Sequence, residues 1–595
     1  MELSKYVIDA VATINISGSR HNSKATRDLR IAAETAEDSH DAHILELISG
    51  VLSMSYSVDK HIFSPKAILE GRRTFAMEDI LQDDVPILEE LVAAVENNWV
   101  RTRLSHVAWL LTNNYHHGQL AVAGYLQQFE ETFDPEHWLD CSHAIQCAYH
   151  IASCLGKKSE SLKQTRIAIN QKLSAMNGTD SLFLSLSLLR IAIQDATQKE
   201  LVSYLPIVSN LATKNICADN LNSHLADDTY DVQQLLLKRL KQQDDIKIAT
   251  TNYADYYEAY ADTLTQKEDY HRAVIMLKKA CALYGAGDRD KLLSLRVKLE
   301  DLQKKALKQM QAIPFTINTE SVYNLVEQLF SELSVEEAVV QIGRVATVYK
   351  FEDMKQQVLE KQNEYVFSSM FGSSLLNEEG QTIQELPPLS ETGTDENSDA
   401  LFKHMVRHVS EQRGLIESIT LGYAFSFLQK AGTIEETSLD FLVSDNAIIP
   451  ENRKEIIKEG LYLGLTGKLY AAMHILLPQT EHIFRNLVKM CGDTVTYLKE
   501  DGTESYKPLS SLLNSDKLRE CYSEDIIFTF WSIMEDPVGE NLRNLNAHGL
   551  LEPQRGNSTS ALCFLCLLIK LLVMYSPRVK PILRTLADRD IEKGE

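Results

Sequence analysis

The sequence predicts an all-α protein, with an amino-terminal irregular helical-repeat region of tetratricopeptide-like character followed by a carboxy-terminal helical bundle. Three observations carry this. Apolar residues recur at spacings of three and four along most of the 595 residues, Leu, Ala, Glu and Lys are abundant, and only 14 prolines and 25 glycines interrupt them. A chain of this length exceeds one compact core, so several folding units are expected. We read residues 1–84 as an amino-terminal helical region, 85–311 as the repeat region, 312–375 as a helical connector, 376–400 as an acidic flexible linker and 401–595 as the carboxy-terminal domain.

From 85 to about 155 one amphipathic helix follows another, as in ILEELVAAVENNWVRTRLSHVAWLLT. The interval 255–284, DYYEAYADTLTQKEDYHRAVIMLKKACALY, resembles one tetratricopeptide-like helix pair, in which Ala259, Ala261, Ala273 and Ala280 allow close packing. The surrounding helices from 161 to 311 read as an irregular solenoid, whose apolar faces are covered only by stacking. Residues 376–400 are acidic and polar and contain Pro387-Pro388, a composition that does not offset the entropy lost on ordering. Helical periodicity resumes at Leu401. It is interrupted at 495–505, VTYLKEDGTES, which reads as a small hairpin or an extended loop around Asp501-Gly502, and again where Pro537 to Gly539 end the helix that closes near Met534.

Composition narrows the functions. The formal charge of −23 argues against an extended nucleic-acid platform, because phosphate binding requires a basic surface. The excess is uneven, however: residues 450–595 hold 18 Lys and Arg against 20 Asp and Glu, so RNA contact is expected to be local and carboxy-terminal. Nine scattered cysteines fit free thiols, and Cys563-x-x-Cys566 sits within ALCFLCLLIKLLVM, which reads as a buried helix too short and too charged for a membrane span. The first residues carry no basic region followed by a long apolar run, so a cytoplasmic protein is expected. His116-His117 beside Gly118 read as an exposed turn, and His474, Glu481 and His482 do not form H-E-x-x-H. No metal site and no cofactor are predicted, and no G-x-x-x-x-G-K-[ST] loop is present.

The segment 539–549, GENLRNLNAHG, carries the most chemistry. It places Arg543, Asn544 and His548 on a short helix that Gly549 can cap. On a regular helix Arg543 and His548 differ by about 140° around the axis, so they converge only if the helix ends at the histidine. Metal-independent RNA cleavage needs a base for the ribose 2′-hydroxyl, an acid for the departing 5′-oxygen and positive charge on the phosphorane-like oxygens. Arginine and histidine supply such groups, and the partial negative charge of a helix C-terminus suits the imidazolium an acid/base histidine must form. An isolated R-x-x-x-x-H is, on its own, more often a structural ion pair and a capping histidine.

The segment resembles the HEPN superfamily of ribonucleases, whose motif is an Arg, a polar residue and, after a short spacer, a His. Together with 476–487, LLPQTEHIFRNL, it is similar to the carboxy-terminal domain shared by long bacterial helical proteins and the eukaryotic endoplasmic-reticulum-membrane-associated RNA degradation protein, over roughly residues 450–576. VRTRLSHVAWLL, with Arg101, Arg103 and Trp109, resembles the helical front half of those bacterial proteins, although His106 stands where an acidic residue is expected. The resemblance implies a HEPN-type bundle in which Arg543 and His548 are catalytic, Asn544 orients the backbone and the histidine, and Glu481, Arg485 and Asn541 support them. It also implies paired motifs sharing one cleft. This chain holds one complete motif, because Arg485-Asn486 lacks a histidine at the right distance, so a homodimer through the carboxy-terminal domain is expected.

The expected function is therefore a metal-independent endoribonuclease acting on RNA, toxin-like or antiviral in role, with a protein partner or trigger at the amino-terminal helices. The alternatives are a non-catalytic RNA- or protein-binding module and a helical scaffold.

Overall fold

A computed structural model of the chain describes residues 3–14, 22–58, 60–69, 72–217, 220–285, 288–311, 314, 316–365, 369–389 and 399–594. It is mainly helical and divides into two units, Met1–Gln309 and Met310–Glu595.

In the amino-terminal unit, helices Lys5–Ala12, Asn22–Glu34 and Ser39–Ser53 precede two short hairpins, Ser55–Ser57 with Ile62–Ser64 and Ile68–Leu69 with Arg72–Arg73. The predicted helices then follow as Asp84–Ala94, Asn98–Thr112, Tyr115–Glu131 and Leu139–Leu155. Their starts are written in the sequence: the side chain of Asn97 accepts from the amides of Trp99 and Val100, and that of Asn114 from His116, filling donors a helix N-terminus leaves open. One apolar core cluster includes residues from Val7 to Leu236, on both sides of the expected boundary at residue 84.

Helices Gln243–Gln266 and Tyr270–Tyr284 form the predicted pair, joined at Glu268, whose φ is +58°. Ala261, Ala273 and Ala280 are fully buried between them, but Ala259 faces outward. Tyrosines do much of the docking: Tyr256 donates its hydroxyl to the Asn220 carbonyl at 2.7 Å and Tyr257 to Asp227 at 2.5 Å. His116 and His117 lie in the first turn of a helix, a correction to the exposed turn expected. His117 is buried, 3.0 Å from Glu89, because the Asn114 cap turns it inward. His106 is fully buried against Tyr56, Phe63, Trp109 and Tyr125, with Nδ1 3.0 Å from the Tyr125 hydroxyl. Burial pushes its imidazole well below the ordinary range, which keeps it neutral where a carboxylate would be unsolvated.

In the carboxy-terminal unit, helix Val335–Val345, within the stretch expected to be a connector, packs into the core. Val339, Val340 and Ile342 of helix Val335–Val345 are fully buried in the same cluster as helix Thr559–Tyr575. The close approach rests on Gly343, where a Cβ would stand 3.2 Å from Val573. Helix Thr559–Tyr575 is apolar around its circumference and buries Cys563 and Cys566 as expected. Among the described residues no single helix is long and apolar enough to cross a membrane.

Residues 376–389 of the expected linker are ordered. Strands Ser373–Leu376 and Thr382–Leu386 form a hairpin, and Leu386 and Leu389 pack with Met405, Val409 and Phe528. Its apolar residues Leu375, Leu386 and Leu389 outweigh the acidic composition on which the linker reading rested; residues 390–398 of that reading lie outside the described residues. The stretch 495–505 contributes to the second hairpin of this unit, Thr496–Leu498 with Glu504–Tyr506.

Candidate active site

The site is assembled on helix Leu469–Met490 and the short helix Leu542–Ala547. The loop leading into the short helix has one permitted path. A Cβ on Gly539 would lie 1.8 Å from the Ser532 carbonyl oxygen, so only glycine fits there, and Asn541 adopts the left-handed region at φ +53°, which Asn tolerates better than most residues. The helix ends as its glycine predicts. Gly549 has φ +71°, its amide donates to the Asn546 carbonyl, and the Leu550 amide donates to Leu545, so the terminal carbonyls are satisfied and His548 becomes the last residue of the turn.

Five of the six expected residues meet. Arg543 donates through Nε to Glu481 Oε2 at 2.6 Å and through Nη1 to Asn544 Oδ1 at 2.8 Å. The other oxygen of Glu481 accepts from Arg485 Nη2 at 2.8 Å. Asn544 Nδ2 donates to Asn541 Oδ1 at 2.8 Å and to the Glu535 carbonyl at 3.1 Å. Asn544 thus holds the guanidinium on one side and the loop on the other, while Glu481 bridges two arginines separated from it by 4 and 62 residues. Arg543 remains partly open to solvent, with 22 % of its side chain exposed.

His548 stands apart. It is exposed, and none of the hydrogen bonds, ion pairs or ring contacts among the described residues joins it to Arg543 or to any other side chain. The helix terminates at the histidine as the sequence suggested, but termination alone does not turn the imidazole onto the guanidinium within one chain.

Two carboxylates flank Arg543 and are pushed in opposite directions. Burial works against the charge of Glu481, but hydrogen bonds from Arg543 and Arg485 outweigh it and hold the carboxyl below the ordinary range. Burial pushes Glu535 up, and the nearby Arg543 guanidinium, Ser510 hydroxyl and Asn544 amide offset only part of that. Glu535 Oε2 is buried with no hydrogen-bond partner. Sequence reading missed Glu535, which sits just before the Asp536-Pro537 break and reaches the site only through the chain reversal that follows.

A second buried network anchors the loop from behind. Arg413 lies in a π-helical turn, Arg413–Glu417, and is 2 % exposed. Its Nη1 pairs with Glu540, its Nη2 donates to Ser532 Oγ at 2.9 Å, and Ser410 Oγ donates to Glu540 Oε1 at 3.0 Å. Glu417 lies 3.8 Å from Arg413 Nε and accepts from the Tyr349 hydroxyl at 3.0 Å and the Thr347 amide at 3.2 Å. Glu540 belongs to the very segment that carries the motif, yet its partner is 127 residues away, and no spacing rule reports such a pair.

Among the described residues no group of three His, Cys, Asp or Glu side chains is placed to hold a metal ion. In the amino-terminal unit a cleft of about 740 Å³ is lined by Trp138, Tyr149, His150, Phe183 and Arg190, none of which the sequence singled out.

Comparison with known families places a match to a domain of unknown function (DUF7380) over residues 6–164, within the amino-terminal unit. No curated protein and no solved structure matches the chain.

Proposed function

We propose that the carboxy-terminal unit is a metal-independent endoribonuclease of the HEPN type. The observation that supports this most is the state of Arg543: a guanidinium fixed by Glu481 and Asn544, partly open to solvent, on the same six-residue helix that ends at an exposed histidine. Locally the charge also favours a phosphate. Glu481 is shared by two guanidiniums, and Glu535, pushed up by burial, is the poorer counter-ion. An anion-binding spot of this kind fits a chain whose net charge is −23 only because it is local.

In this reading Arg543 holds the non-bridging oxygens of the scissile phosphate and Asn544 fixes its direction. One imidazole takes the proton of the ribose 2′-hydroxyl, the 2′-oxygen attacks phosphorus, and the 5′-oxygen leaves with a proton returned by a second acid. The products are a 2′,3′-cyclic phosphate and a 5′-hydroxyl. The separation of His548 from Arg543 within one chain favours a homodimer in which the histidine of one copy faces the arginine of the other.

The same separation also favours the rival reading, a site that binds RNA without cutting it. Loss of His548 distinguishes the two: a ribonuclease loses cleavage and keeps binding, whereas a binding module is indifferent to it. The test is sedimentation equilibrium for the dimer, together with RNA binding and cleavage by His548→Ala.

A further inference from the structure

The hairpin Thr496–Leu498 with Glu504–Tyr506 presents its largest side chains to solvent beside the site. Its register pairs Thr496 with Tyr506 and Leu498 with Glu504, so these four side chains share one face, and Tyr506 and Leu498 on it are 69 % and 71 % exposed. The ring of Tyr506 lies 5.4 Å from the guanidinium carbon of Arg485. Arg485 ties that face to the site twice over: Nη2 donates both to Glu481, the carboxylate that holds Arg543, and to the carbonyl of Lys507, the residue after Tyr506. Its Nε is buried without a partner.

An exposed tyrosine on a hairpin is by itself ordinary. Here it lies against a cation that shares its counter-ion, Glu481, with the phosphate-binding candidate Arg543.

We propose that the Tyr506 ring, backed by Arg485, is the stacking platform for the nucleobase next to the phosphate held at Arg543, which makes unpaired RNA the substrate class. The proposal rests on the ribonuclease reading. Only an unpaired base frees a face for an aromatic ring; in a duplex that face is covered by its neighbours, and the A-form major groove is too narrow to admit the hairpin.

The experiment uses the full chain and a fluorescent 2′-O-methyl decanucleotide, in which the attacking hydroxyl is blocked, so that binding is read without cleavage. Tyr506→Leu is expected to weaken binding about 5- to 150-fold, the value of one lost base stack, while Tyr506→Phe stays within about 2-fold of wild type. A duplex of the same strand is expected to bind equally to all three proteins and less tightly than the single strand does to wild type. Equal binding of the decanucleotide by Tyr506→Leu and wild type, no binding by wild type, or preference for the duplex overturns the platform. Failure of the underlying reading looks different: Tyr506-dependent binding with no cutting of the unmethylated decanucleotide in EDTA removes the ribonuclease and leaves a binding site. Cutting that ignores Tyr506→Leu removes the platform and leaves the ribonuclease.

Discussion

Two arginine–carboxylate networks hold the loop 535–541, and they differ in what they leave open. Around Arg413 everything is closed: the guanidinium is 2 % exposed and meets Glu540, Ser532 and Glu417. Around Arg543 the guanidinium is fixed at Nε by Glu481 and at Nη1 by Asn544, and 22 % of the side chain stays exposed. The first has spent its hydrogen-bonding capacity on the fold and the second has kept some for a ligand. A buried charge is tolerated only when fully paired, so the closed network is expected to govern stability and the open one to govern chemistry.

The comparison breaks most visibly at Arg413. Arg413→Met strands Glu540 and Glu417 in the interior, and a loss of about 3–5 kcal/mol is expected from urea midpoints of the full chain. A loss under about 1 kcal/mol would show that the closed network is not structural. Gly539→Ala comes next: its Cβ and the Ser532 carbonyl cannot both keep their places, and about 2 kcal/mol of destabilisation is expected on the same scale.

The pH dependence sharpens the contrast between the two carboxylates of the open site. Glu481 has a lowered folded value, so the unfolded chain binds more protons across the window below the ordinary carboxylate range. Its contribution is therefore present above that range and lost as pH falls through it. Glu535 has a raised folded value, so the folded state binds more protons just above that range, and stability falls as pH rises through the window. Urea midpoints between about pH 3 and pH 8 should accordingly show Glu481→Gln less stable than wild type only on the neutral side. Glu535→Gln should be more stable there. Parallel curves for both variants would contradict the assignment. The smallest effect belongs to His548→Ala, which removes an exposed, unpartnered side chain and should change stability by no more than about 0.5 kcal/mol.

Local chemistry was legible in the sequence, and long-range pairing was not. Gly549 announced the end of the motif helix, and the apolar run around Cys563 announced a buried helix, because each is decided within one or two turns of chain. Glu481 and Arg485 were placed by resemblance; Glu481 bonds Arg543, and Arg485 reaches it only through Glu481. Arg413 and Glu535 were silent, since their significance arises only when distant segments are packed together. The error at 376–400 has a related cause: acidic composition marked a linker, but the alternating apolar residues that seat Leu386 against Met405 and Phe528 are few and the strands short.

In the proposed function Arg543 and His548 act on RNA together. Its most direct test is incubation of the full chain with total and transfer RNA in EDTA, beside Arg543→Ala and His548→Ala, with end-group analysis of the fragments. Cleavage by wild type alone is expected, leaving cyclic-phosphate and 5′-hydroxyl ends, with both variants folded and reduced at least about 100-fold. Cleavage that persists in either variant, or RNA left intact by a wild-type protein that binds it as both variants do, would contradict it.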